Sequence, residues 1–364
     1  MSDDSSVDGA RAVLAGTDGR LVDPGFLVNG APGEVPGLLD AASGPAAQWG
    51  VEWATGTRLE RRFQNILTGH TGRVRAVATS AVEGRPVVVT GSDDKTVRVW
   101  DLATGKSLGE PFLHGSAVRA VAVGAVNGLP IAVTGSEDGA VRVWDMATGE
   151  PFGEPLIGHT DKVEAVAVVH GTVLAVTGSA DDETVLVWNL ATGEEPDGLF
   201  AGHDDWVHTV AVAGGSSRVL AVTGGDDGTA RVWVWDMSAG WEAGELLTGH
   251  DGPVSAVAVA DGRGLAVTGS GDGSVRVWDV ATGGQVGEFL SGHPVGVLAV
   301  VEVDGKARVI TGSGEGAVTV WDVAAGEPVG PELVFPSSVR AVAVAPDGRL
   351  VVGFGCEVAV LARR

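Results

Sequence analysis

A single phrase recurs six times along this chain, and no other feature restricts the possible folds as strongly. It reads GSDDKTVRVWDLATG, GSEDGAVRVWDMATG, GSADDETVLVWNLATG, GGDDGTARVWVWDMSAG, GSGDGSVRVWDVATG and GSGEGAVTVWDVAAG. Its tryptophans, Trp100, Trp144, Trp188, Trp233, Trp278 and Trp321, follow one another at intervals of 44, 44, 45, 45 and 43 residues. A second marker keeps step upstream, at His70, His114, His159, His203, His250 and His293, usually after a glycine. A period of this length belongs to stacked or circular arrays of small units rather than to independent domains. The insertion in VWVWD lengthens one histidine interval to 47, which places Trp233 rather than Trp235 in register and predicts a bulge at Trp235.

Between the markers apolar residues alternate with period two, as in VRAVAT, VRAVAV, VEAVAV, VHTVAV and VSAVAV, and a second run such as VVVTGS or LAVTGS follows. Period two puts successive side chains on opposite faces of a strand. Turn sequences separate the runs: ADGRG and APDGR after the first strand, DDK, EDG and GDG after the second, ATG after the third. Each repeat therefore predicts four antiparallel strands. A sheet of that size cannot bury its faces alone, and an open stack exposes apolar surface at both ends, so the ring has to close. Six repeats and a degenerate seventh over 334–364 predict an all-β, seven-bladed propeller over 58–364. An irregular extension over 1–57, with a short helix near Glu34 to Ala42, precedes it. The seventh repeat supplies three strands, and the fourth is expected from Arg61–Leu67 beside Glu357–Ala362. Pairing of N- and C-terminal strands then leaves no sheet edge open.

The spacing of GH and WD resembles that of the WD40 repeat family over about residues 58–364. The last repeat departs from the pattern, with Pro336 in the place of the histidine and Leu361 in that of the tryptophan. The resemblance implies, within each blade, a histidine hydrogen-bonded to a threonine of the second strand, a turn aspartate and the tryptophan. The sets are His70, Thr90, Asp94 and Trp100; His114, Thr134, Asp138 and Trp144; and His159, Thr177, Asp182 and Trp188. They continue with His203, Thr223, Asp227 and Trp233, with His250, Thr268, Asp272 and Trp278, and with a looser set of His293, Thr311, Glu315 and Trp321. Such networks make physical sense because buried polar groups need partners. Histidines spread around a ring do not converge on one centre, so neither a metal nor a cofactor is expected. The junction WATGTRLERRFQNILTGHTGRVRAVA, with DPGFLV upstream, also resembles the linker before C-terminal propellers of large bacterial STAND-type NTPases. That likeness implies a sensor module acting with such an enzyme.

Charge narrows the partners. With 47 acidic against 24 basic residues, a net charge of −23 repels phosphate backbones and anionic lipid, so neither nucleic acid nor a membrane is expected. Every apolar stretch is broken well short of a membrane span, and MSDDSSVDGARAV lacks the pattern of a secretory signal. The lone Cys356 has no partner for an internal disulfide and reads as a buried, unreactive strand residue. A cytoplasmic, monomeric protein is expected. ATGKS at Ala103–Ser107 matches the end of a phosphate-binding loop, but the earlier glycine of that motif falls on Trp100, so the segment reads as a turn. Arg98, Arg142, Arg231 and Arg276, two residues before their tryptophans, read as packed stems with solvated or paired heads. No catalytic arrangement stands out, which predicts a binding protein rather than an enzyme.

Function is to be sought where the repeats differ. Three and five residues after each histidine marker the chain carries Arg73 and Arg75, Ala117 and Arg119, Lys162 and Glu164, Trp206 and His208, Pro253 and Ser255, Gly296 and Leu298, then Ser338 and Arg340 in the last repeat. Arg340, Arg73, Arg75, Arg119 and Lys162 are thereby predicted to form a basic arc on an acidic protein, with Trp206 and His208 beyond it. The arc suits an acidic or phosphorylated segment of a partner protein, arginine supplying forked contacts and Trp206 an apolar anchor. Asp93, Glu137, Asp181 and Asp226 lie close enough in the repeat to neutralise it, which leaves a salt-bridged, silent surface as the competing expectation. A small-molecule or catalytic site in the central channel is the remaining alternative.

Overall fold

Each repeat forms a four-stranded meander, and turn chemistry explains where the chain reverses. The computed structural model describes residues 13–14, 49–54 and 69–363, apart from 170, 181–182, 195–199, 202, 215–217, 237–239 and 261–262. In the first blade Val74–Val82, Arg85–Ser92, Thr96–Asp101 and Phe112–Leu113 pair antiparallel in chain order. The first hairpin turns at Glu83–Gly84 in blade one, and at Asn127–Gly128 and Asp304–Gly305 in blades two and six; both residues of each pair have positive φ. That conformation matches the twist of the flanking strands. At the turn after the third strand, the Asp101 carboxylate accepts the backbone N–H groups of Ala103 and Thr104 at 2.9 and 2.8 Å. Asp145, Asn189, Asp279 and Asp322 do the same in their blades. The acid or amide after these five repeat tryptophans is thus a turn former.

Seven such sheets, with first strands beginning at Val74, Val118, Val163, Val207, Val254, Val295 and Val339, stand around a common axis. Their stacking explains the glycine of the recurrent TGS. A Cβ added to Gly91, Gly135, Gly178, Gly224, Gly269 or Gly312 would fall 2.4–2.7 Å from the leading valine of the next blade. Gly353 meets Val74 in the same way at 3.1 Å, which carries the seventh blade onto the first. At this seam Thr79 donates its hydroxyl to Val344 O at 2.8 Å, and Arg349 Nη1 donates to Leu102 O at 2.8 Å. Beneath them Val74, Val88 and Trp100 pack with Val351, Val358 and Val360.

The ring closes through an N-terminal strand, but not the expected one. Trp49–Ala54 pairs with Glu357–Arg363, Val51 opposite Leu361 and Trp53 opposite Val360. Arg61–Leu67, assigned that role from the sequence, lies outside the described residues, as does the helix expected near Glu34 to Ala42. WGVEWA sets Trp49, Val51 and Trp53 at period two, as a strand requires, while RRFQNIL does not alternate. Residues 49–54, placed by the sequence reading in an irregular extension, therefore belong to the ring. Val13–Leu14 adds a two-residue strand beside Leu333–Val334 of the sixth blade.

Three local expectations also change. Trp235 is no bulge: it lies opposite Val219 in an unbroken ladder, because Arg218–Gly225, Ala230–Asp236 and Gly240–Leu247 lengthen together and keep their backbone groups paired. Between the third and fourth strands of this blade the register breaks earlier, between Arg231 and Trp233. In blade seven the histidine's place is taken by Phe335, not Pro336; Phe335 N donates to Gly316 O at 2.8 Å, as His114 N donates to Lys95 O at 2.9 Å. Val352 and Leu361 stand where other blades have threonine and tryptophan, and Phe335 packs 5.0 Å from Phe354. Replacing all the polar partners together leaves none unsatisfied, so the blade keeps its fold without the network. Cys356 sits in the turn between Phe354 and Glu357 and is exposed rather than buried in a strand. Partial desolvation, then the Glu357 carboxylate, push its thiol above the ordinary value, which keeps it protonated at neutral pH.

Candidate functional site

The regular histidines are structural. In blade one the Trp100 indole N–H donates to Thr90 Oγ1 at 2.8 Å, Thr90 lies 2.7 Å from His70 Nε2, and His70 Nδ1 lies 2.9 Å from Asp94 Oδ2. An ionised carboxylate only accepts, so Nδ1 carries the proton and Nε2 accepts the threonine hydroxyl. Burial alone would raise the Asp94 pKa, but hydrogen bonds from His70, Thr96 and the Thr71 amide hold it well below the usual carboxylate range. Blade four repeats the chain at 3.0, 2.8 and 2.9 Å through Trp233, Thr223, His203 and Asp227. Blade five does so at 2.8, 2.7 and 3.2 Å through Trp278, Thr268, His250 and Asp272. Burial lowers the pKa of His203 and His250 more than their aspartates raise it, so both rings are neutral at pH 7. In blade three Trp188 and His159 meet Thr177 at 2.9 and 2.7 Å, and Thr184 takes Nδ1 at 3.1 Å; Asp182 lies outside the described residues.

Two blades break the pattern. Asp138, assigned to His114, is held instead by Arg142 at 2.9 Å, leaving the buried His114 Nδ1 without a partner. Burial, reinforced by Arg142, lowers the His114 pKa to about 4. Leu113 precedes His114 where Gly69 and Gly249 precede His70 and His250, and a Cβ on either glycine would strike the guanidinium of Arg98 or Arg276. Without that glycine shelf, Arg142 turns to the aspartate. In blade six the loop from His293 to the leading valine is two residues shorter than in the other blades. His293 consequently meets Glu315 at 2.7 Å, while Thr311 accepts from Trp321 at 3.0 Å and donates to Thr319 O at 3.4 Å rather than to the histidine. Two others of the series are packed or paired: Arg98 lies 5.9 Å from the Trp100 ring, and Arg276 bonds Gln285 at 3.0 Å.

At least one variable residue of each repeat reaches the axis. In every blade the register of the first strand slips just after its leading valine, and the extra residue is Arg75, Arg119, Glu164, His208, Ser255, Gly296 or Arg340. A bulge re-aims its side chain away from the ladder. All seven line a channel of about 480 Å³, above walls of alanine and valine from the same strands. Leu298, expected at this level in blade six, is displaced to the second residue inside the strand by the short loop, and Gly296 takes its place.

Register then decides which charges survive, because each bulged residue faces the residue that follows the second strand. Arg75 makes a two-pronged pair with Asp93 at 2.7 and 2.8 Å. Arg119 is bound to Glu137, with Nε at 3.1 Å, and also lies 3.9 Å from Glu164. His208 Nε2 is 2.7 Å from Asp226. The central arginines of the expected arc are therefore neutralised, while Asp181 lies outside the described residues. Arg73 and Arg340 differ: both are exposed, and neither forms an ion pair among the described residues. Lys162 lies 4.0 Å from Asp161 and 6.0 Å from the Trp206 ring, which is 40% exposed and edge-on to His208 at 6.1 Å. Among the described residues no group of three or more His, Cys, Asp or Glu is placed to hold a metal ion.

The family described as "WD domain, G-beta repeat" matches this chain over residues 61–101, 105–145, 150–189, 194–234 and 242–279. Pre-mRNA-splicing factor PRP46 of Eremothecium gossypii is 42% identical over 59 residues, covering 16% of this chain and 12% of that protein. Mitochondrial division protein 1 of Schizosaccharomyces pombe is 50% identical over 44 residues, covering 12% of this chain and 6% of that protein. Human pleiotropic regulator 1 is 37% identical over 62 residues, covering 17% of this chain and 10% of that protein. Each match spans little more than one repeat and a small part of the relative's length.

Proposed function

The chain belongs to the WD40 repeat family, and we propose that it is a non-catalytic scaffold that binds an acidic or phosphorylated segment of a partner protein across the channel mouth. One observation carries this reading: on a chain of net charge −23, Arg340 in the channel lining and the neighbouring Arg73 are exposed with no ion-pair partner among the described residues, and the exposed Trp206 stands against His208 of the same lining. Fields from distant carboxylates are screened over about 8 Å at physiological salt, so local charge governs what docks there. The seven bulges are held by closed sheets, so the face needs little ordering on binding. A flat tryptophan beside separated cations suits an extended segment better than a compact metabolite.

Panning a displayed library of disordered segments, with and without kinase treatment, against the folded chain should enrich acidic or phosphorylated sequences. Trp206→Ala should weaken the enriched peptides by about tenfold or more, as expected for an aromatic anchor, with the melting temperature unchanged. A library that yields nothing above background, or peptides indifferent to Trp206, would remove the reading.

A further inference from the structure

The bulged positions around the mouth are equivalent in backbone but not in charge. Where the residue is cationic in blades one and two, the facing turn supplies a carboxylate, Asp93 or Glu137. In blade seven the corresponding turn residue is Gly355, at φ +52, and a Cβ there would lie 2.9 Å from Ser337 Oγ. The turn thus carries no acid and has little room for one, and Arg340 reaches the channel with no hydrogen-bond or ion-pair partner among the described residues. Arg73, three residues from the leading marker of blade one, is exposed and near enough for its charge to act on Arg340.

Resting on the scaffold reading, we infer that the partner's anionic group is seated at the seam of blades seven and one, on Arg340 and Arg73, and that Arg75 and Arg119 do not hold it. Engaging Arg75 requires an incoming oxygen to displace a two-pronged carboxylate and leave Asp93 unpaired, so the exchange gains little. Arg119 is shared between Glu137 and Glu164 and is equally occupied. Arg340 has no such pair to give up among the described residues. Partial burial, then repulsion from Arg75, Arg73 and Arg119, disfavour its charge in the free protein more than the field of Asp93 favours it, and an added anion relieves that repulsion. The group recognised is a carboxylate or a phosphoryl group, both matched by the guanidinium fork.

The test uses the full chain and two probes. Inorganic pyrophosphate is titrated while the arginine Nε–H resonances are followed by NMR. A fluorescein-labelled peptide with one phosphoserine, and its glutamate and serine counterparts, are then measured by anisotropy. Pyrophosphate should move the Arg340 and Arg73 signals and leave those of Arg75 and Arg119 in place. Arg340→Gln should weaken the phosphoserine peptide at least tenfold. R75Q/D93N, which removes the neighbouring pair without changing net charge, should alter it less than threefold. Movement of Arg75 or Arg119 with Arg340 still, or an Arg340→Gln variant that binds like wild type, overturns the seam site. If library peptides depend on Trp206 but not on Arg340, the scaffold stands and the seam falls; if pyrophosphate moves Arg340 but no peptide binds, the reverse holds. Tighter binding of phosphoserine than of glutamate identifies phosphate as the source, and equal binding identifies carboxylate.

Discussion

Thr223→Val is expected to lower the stability of the fold by about 3 kcal/mol, and Thr311→Val by only about 1 kcal/mol. Both threonines are buried, at 0% and 4% exposure, and valine nearly matches their shape, so no cavity term separates them. The difference is in what each hydroxyl serves. Thr223 accepts the Trp233 indole N–H and lies 2.8 Å from His203 Nε2, so its loss orphans two buried groups. Thr311 accepts only from Trp321, because the short loop has drawn His293 towards Glu315. Urea unfolding of the two variants measures the gap directly. Equal losses would mean that the histidine bond contributes nothing to stability and that the blade-six defect has no energetic meaning.

Removing residues 1–57 is expected to lower the melting temperature by about 10 °C and to promote aggregation, whereas removing 1–48 changes it by only a few degrees. The longer deletion takes away Trp49–Ala54 and leaves Glu357–Arg363 as an open edge. Such an edge exposes a row of unpaired backbone groups that templates association. Among the described residues, the shorter deletion costs only the two-residue pairing of Val13–Leu14 with blade six. Differential scanning fluorimetry with light scattering distinguishes the two. If the chain without 1–57 melts like the full chain, the closing strand lies elsewhere, and Arg61–Leu67 regains that role.

Blade number, strand order and the alignment on Trp233 were legible because a period repeated six times averages out local ambiguity. The closing strand was not, since a single strand among dozens of non-repeating residues carries one short alternation, WGVEWA, to announce it. Bulges were invisible for a related reason: VRAVA reads as an unbroken alternation although its arginine is the extra residue. Counting five residues from the histidine marker reaches the bulged residue in every blade but the sixth, where HPV replaces the longer HTGRV and the bulge falls on Gly296, three residues on. The basic arc was readable as composition, but its neutralisation was a matter of register. Arg75 and Arg340 look alike in sequence, and only the pairing of their strands shows that one faces Asp93 and the other Gly355.

The most direct test of the account is a hydrogen–deuterium exchange footprint of a library-selected peptide on the full chain. Binding should slow exchange in the segments containing Arg73, Trp206 and Arg340 and leave the outer strands Phe112–Leu113 and Leu156–Ile157 unchanged. Protection confined to those outer strands, or to the hairpins at Glu83–Gly84 and Asn127–Gly128 while the channel mouth exchanges as before, would contradict it.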